Sequence, residues 1–124
     1  MTVKEAIERA DTLFPNVLPF TLKMQWLRDL DERIFTEFIS CYEGHGKTAP
    51  EGEYTPATVL LIDEPFTGIY TRYICLQADI MNGDTAGYKN DASLFNSAYL
   101  SFMNHFNRTN FIKRRSIRIG GDNK

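Results

Sequence analysis

Apolar residues recur at helical spacing through most of this 124-residue chain and break off at a few sharp stops. Val3, Ile7 and Ala10 share one face of a first helix. Thr2, with Glu5 three residues on, forms a capping box, each side chain meeting the other's unpaired amide, and Pro15 ends the helix. Residues 16–19 are a linker. A second helix starts at Phe20–Thr21 and runs to about Tyr42, with Trp26, Leu27, Leu30, Ile34, Phe38 and Cys41 or Tyr42 as its apolar stripe. Arg28, Asp29, Asp31, Glu32, Arg33 and Glu37 fill the opposite side, where Asp29–Arg33 and Arg28–Glu32 are spaced as ion pairs. At 1.5 Å per residue this rod is roughly 33 Å long, the long central helix of the expected fold.

Residues 44–52 hold three glycines and Pro50, and read as a loop. The β-branched run Thr58-Val59-Leu60-Leu61-Ile62 is too short for a helix of its own. It is either one strand or an extended segment laid on the bundle, stopped by Asp63-Glu64-Pro65. A third helix is expected from Thr67 to Asn82, with Ile69, Tyr70, Tyr73, Ile74, Gln77, Ile80 and Met81 on one face and Gly83 as a left-handed cap. Asp84 caps a fourth helix at once. In it Tyr88, Ala92, Phe95, Tyr99, Phe102 and Phe106 repeat every three or four residues, and so short a turn forces an antiparallel hairpin. The aromatic stripe is read as core, with Asn96, Gln77 or Asn82 as partners for its tyrosine hydroxyls. Beyond Asn107 the pattern changes: residues 111–119 read as an extended arm or strand, and residues 120–124 as disordered. The expected fold class is therefore all-α. It is a small bundle of about four helices over residues 1–110, followed by a basic extended C-terminal arm at 111–124.

Charge changes this picture in one place. Net charge is −2, yet residues 107–124 carry Arg108, Lys113, Arg114, Arg115, Arg118 and Lys124 against Asp122 alone, while the rest holds eight basic and fifteen acidic residues. An acidic body with a basic tail points to a tail that works on another subunit or on a polyanion. Sixteen aromatic residues supply ample core, and no apolar run approaches the roughly 20 residues of a membrane span. With no apolar leader at the N-terminus, the protein is expected in the cytoplasm. Cys41 and Cys75 form no CxxC pair and read as ordinary core or surface residues.

No constellation of residues in the sequence specifies a reaction. His45 and His105 have no partner at a metal-ligand spacing. Gly46-Lys47-Thr48 ends like a phosphate-binding loop, but Cys41 stands where its first glycine is required, and a helix and not a strand precedes it. Asp63, Glu64 and Asp79 read as isolated carboxylates, caps or solvated charges. No catalytic, cofactor-binding or metal-binding residue is assigned, and no cofactor is expected.

Four stretches add a family resemblance: LLIDEPFTGIYTRY (60–73), QADIMNGD (77–84), YKNDASLFNSAY (88–99) and NRTN (107–110), with Trp26-Leu27 and Leu30-Asp31 upstream. Over residues 2–110 the chain resembles head–tail connector (adaptor, head-completion) proteins of tailed bacteriophages and prophages of Gram-positive bacteria. The resemblance implies a helical virion protein without enzyme activity, assembled as a ring of identical subunits under the portal, extending the DNA channel towards the tail. The implied partners are the portal protein, neighbouring connector subunits, a tail-side stopper or head-completion protein, and DNA that passes without sequence-specific binding. No membrane is implied. The implied location is the virion, with the host cytoplasm before assembly. Charge and pattern suggest Lys113, Arg114, Arg115 and Arg118 of the arm, and His45 and Lys47 of the glycine-rich loop, as partner-binding residues. The alternative is a phage- or prophage-encoded nucleic-acid-binding regulator that uses the arm on phosphates. Against it, the body is acidic and no helix presents a basic face.

Overall fold

The computed structural model describes residues 1–112, so Lys113, Arg114, Arg115, Arg118 and the glycine-rich end lie outside the described residues. The chain is mainly helical, with α1 (Val3–Leu13), α2 (Phe20–Glu37), α3 (Gly68–Asn82) and α4 (Thr85–Thr109). Two-residue strands β1 (Tyr42–Glu43) and β2 (Phe111–Ile112) pair antiparallel, Tyr42 opposite Ile112 and Glu43 opposite Phe111. The expected arm thus begins as a strand.

Local chemistry sets the helix ends. The Thr2 amide donates to Glu5 Oε1 at 2.8 Å, and the Glu5 amide donates to Thr2 Oγ1 at 3.3 Å, completing the capping box. The amides of Val3 and Lys4, also unpaired within α1, donate to Thr58 O at 2.9 Å and Pro56 O at 3.0 Å. This fastens residues 56–60 to the start of α1, and the Leu60 amide returns a bond to Met1 O at 2.9 Å. The 58–62 run is therefore the extended segment laid on the bundle, with Leu60, Leu61 and Ile62 buried and Val59 facing out. Gly83 takes φ 68°, which ends α3, and Asp84 accepts from the Gly87 amide at 2.9 Å to start α4. The hairpin is antiparallel. Tyr73 meets Phe95 with ring centroids 5.3 Å apart, and Phe66, farther from the turn, meets Phe102 at 6.0 Å.

The second helix is shorter than its pattern suggested. Phe38 leaves helical geometry at φ −128°, ψ −64°, and a 3₁₀ turn over Ile39–Cys41 leads into β1. This bend buries Ile39 and lets the main chain of Tyr42 and Glu43 pair with β2, which a straight helix could not offer. It also sets Phe38 5.9 Å from Phe102 and Tyr42 5.1 Å from Phe106, closing an aromatic cluster between α2 and α4. The longest helix is α4, with 25 residues against 18 for α2. The central one is α3, which packs against each of the other three helices and from Ile69 to Leu76 is buried at every position except Arg72.

Two expectations about the core faces need correction. Ile80 and Met81 of α3 are 52% and 56% exposed, and Tyr88 of α4 is 42% exposed. They sit at the turn end of the hairpin, where Asp79 and Gly87 take the inward positions instead. On α2 the inward stripe is Lys23, Leu27, Leu30, Asp31 and Ile34, so Asp31 is not on the polar face and Trp26 is only half-buried. Of the two expected ion pairs on that helix, Arg28–Glu32 forms. Asp29 instead accepts from Gln25 Nε2 at 2.8 Å, and Arg33 lies over the Tyr73 ring, 5.9 Å from its centroid.

Candidate functional site

The most strongly constrained polar group is Asp31, which is 0% exposed. Its Oδ1 accepts from the Tyr70 hydroxyl at 2.6 Å, and its Oδ2 from the Tyr54 hydroxyl at 2.6 Å and the Leu61 amide at 3.1 Å. The Tyr70 hydroxyl in turn accepts from the Ile62 amide at 2.7 Å. One carboxylate on α2 thereby gathers α3 through Tyr70 and the long α2–α3 crossover through Tyr54, Leu61 and Ile62. Burial pushes the Asp31 carboxyl above the ordinary carboxylate range, and the three donors pull it part of the way back. Burial and the neighbouring carboxylate likewise raise Tyr54 and Tyr70. A fully buried carboxylate held by three donors suits fastening and not proton transfer. The expected hydroxyl partners Asn96, Gln77 and Asn82 are therefore replaced, for Tyr70, by Asp31.

Lys23 repeats the theme on the same stripe: it is 2% exposed, with Nζ 2.7 Å from Asp11 Oδ1. The sequence carried a signal for both residues. Lys23, Leu27, Leu30, Asp31 and Ile34 fit helical spacing as well as the stripe built on Trp26. Two charges on an apolar line imply buried partners.

Of the expected partner-binding residues, His45 and Lys47 lie within the described part of the chain. His45 and Lys47 follow directly on β1, and β2 leads directly into Lys113. Pairing of β1 with β2 places the glycine-rich loop beside the root of the basic segment. The His45 ring stands edge-on to Phe35 at 5.4 Å, and its Nδ1 accepts from the Lys47 amide at 2.9 Å. Lys47 pairs with Asp63 and is only partly exposed, so it is not a free cation. Glu64 accepts from the Thr67 hydroxyl and lies 3.9 Å from Arg9, so neither Asp63 nor Glu64 is isolated. Between loop and α4 lies a cleft lined by Lys47, Asp63, Phe66, His105, Phe106 and Asn110, with Phe66 and His105 rings 4.9 Å apart. Lys113, Arg114, Arg115 and Arg118 lie outside the described residues.

At the opposite end of α4, Asp79 is 2% exposed and its Oδ2 has no hydrogen-bond partner among the described residues. It is neither a cap nor a solvated charge. Cys75, one turn earlier, is buried, and that burial pushes its thiol up to about 11, leaving it protonated and unreactive near neutrality. Cys41 is exposed. Among the described residues no three His, Cys, Asp or Glu side chains are grouped to hold a metal ion, and no helix is long and apolar enough to cross a membrane. No family model, no curated protein and no solved structure matches this chain.

Proposed function

We propose that this chain is a structural, non-enzymatic subunit of a tailed-phage or prophage head–tail connector, assembling as a ring beneath the portal and continuing the DNA channel towards the tail. One observation carries the reading. A helical body, cross-braced inside by Asp31, presents the His45/Lys47 loop and the root of its basic segment side by side at one end. A rigid body with a charged segment leaving from a fixed point suits docking on a neighbour better than chemistry in a cleft. The four stretches that resemble the connector family support it from the sequence side. Inside the body, Asp31 and Lys23 are spent on partners within the chain: Tyr70, Tyr54 and Leu61 for the one, Asp11 for the other.

The test is association. The purified chain, mixed with the portal protein of the same genetic element, is expected to co-elute in size-exclusion chromatography with light scattering, at a mass that fits a ring. If it stays a monomer beside that portal protein and binds duplex DNA tightly, the regulator reading replaces this one.

A further inference from the structure

The turn end of the α3–α4 hairpin concentrates three carboxylates around one glycine. Asp84 Oδ1 accepts from the Gly87 amide, and the Asp84 amide donates to Asp79 O at 3.0 Å. A Cβ on Gly87 would stand 2.5 Å from Asp84 Oδ2 and 3.2 Å from Asp79 Cγ, so the two carboxylates close over the glycine. Asp91, one turn along α4 from Gly87, is half-buried and comes within hydrogen-bonding reach of the Asp79 carboxyl. Asp79 itself is 2% exposed, with one oxygen unpartnered among the described residues.

A buried carboxylate beside a second cannot be ionised together with it at ordinary cost; one of the two keeps a proton and donates it to the other. We infer that Asp79 and Asp91 share one proton across the hairpin, and that this proton makes the turn end a pH-responsive element, closed in acid and loosened as pH rises. Asp79 holds the proton.

Among the described residues, the surroundings offer Asp79 no compensating cation. On α3, Cys75 is a protonated thiol, and Arg72 lies two turns away. From α1 comes Asp11, already paired with Lys23 of α2; α2 also brings Asp31, which meets α3 at Tyr70, nine residues before Asp79, and Arg33, which lies over the ring of Tyr73, six residues before it. From α4, Asp84 and Asp91 act on it, while Lys89 of the same helix is exposed. Burial first, then the bond and charge of Asp91, then Asp84, push Asp79 up to about 7. Its folded value lies above its ordinary 3.8, so the folded form holds the proton more tightly. Stability from this site is full below the ordinary value and is lost as pH rises to about 7.

The experiment is a carbon-detected NMR titration of the aspartate carboxyls of the full chain, with thermal melts across the same pH range. Asp79 is expected to titrate near neutrality. The melting temperature of the wild type should fall more steeply from about pH 5 to about pH 8 than that of Asp79→Asn, whose amide can still donate to Asp91. Asp31 also titrates high but is present in both proteins, so the difference between them isolates Asp79. An Asp79 midpoint near about 4, the ordinary carboxylate value, overturns the inference. So does an Asp79→Asn variant whose melting temperature falls with pH as steeply as the wild type's. If Asp79→Asn does not fold, Asp91→Asn decides: the Asp79 midpoint should drop in that variant, and an unchanged midpoint overturns the shared proton.

Discussion

Single side chains divide sharply between those that hold the domain and those that merely complete its surface. Asp31 holds it, because three donors depend on one carboxylate that water cannot replace. Asp31→Ala strands the Tyr70 and Tyr54 hydroxyls and the Leu61 amide, and is expected to cost about 3–5 kcal/mol. For a domain of this size that lowers the melting temperature by roughly 10–20 °C. Tyr70→Phe leaves the Ile62 amide and Asp31 Oδ1 unpaired and should cost about 2–3 kcal/mol, whereas half-buried Tyr54→Phe costs about 1 kcal/mol. Equal losses at Tyr70 and Tyr54 in calorimetry would mean that burial does not rank the two bonds. The aromatic seam gives a parallel contrast. Phe95 is buried against Tyr73, so Phe95→Ala should cost about 3–5 kcal/mol, while exposed Leu100→Ala stays within about 0.5 kcal/mol. Urea titrations of the two variants check the ranking.

At the scale of the element, ends matter more than middles. The Thr2–Glu5 box starts α1, and the extended segment at 56–60 accepts the two amides that follow, so this end is closed from both sides. The Thr2 amide holds the Glu5 carboxylate below its ordinary value. A folded value below the unfolded one gives stability that is present above the ordinary 4.5 and lost as pH falls through the folded value. Wild-type stability should therefore drop on acidification from about pH 5 to about pH 3 more than that of Glu5→Gln, which has no proton to gain. Denaturation curves at the two pH values decide it, and identical losses would show that the cap does not depend on charge. The end of α2 is also decided by what lies beyond it. Its helical pattern continues past Glu37, yet the chain bends at Phe38 because β2 and the Phe102/Phe106 pair offer Ile39 and Tyr42 better burial.

Across the whole molecule the polarity is lengthwise. One end of α4 carries the acidic hairpin turn with exposed Ile80, Met81 and Tyr88, and the other carries paired β1 and β2, the strand that precedes the basic segment in the sequence. If that segment docks on a protein neighbour, replacing Lys113, Arg114, Arg115 and Arg118 with Gln should abolish portal or ring association. The melting temperature should then stay within about 2 °C, since charges that serve a partner contribute little to the fold itself. If it binds DNA instead, four cations limit the log–log salt slope to no steeper than about −4. Fluorescence titration of labelled duplex at two salt concentrations measures that slope. Tight, salt-sensitive DNA binding with no self-association would sink the connector reading.

Much of this was legible in the sequence. Thr2 with Glu5, Asn82-Gly83-Asp84 and the 3–4 repeat through Phe95, Phe102 and Phe106 act over one or two turns, and local chemistry suffices to place a cap, a reversal and a seam. The mainly helical class, the four helices and the hairpin followed from them. Tertiary structure alone decided what a helical wheel cannot: which of two competing stripes on α2 faces inward, where α2 stops, and that Ile80, Met81 and Tyr88 stand outside the core while Asp79 lies within it. Those outcomes depend on partners distant in the chain. Tyr70 lies 39 residues from the Asp31 it binds, and Tyr42 lies 65 from the Asn107 that accepts its hydroxyl at 2.7 Å. A charge on an apolar face is tolerable only where such a partner arrives, and periodicity holds no record of what arrives from elsewhere.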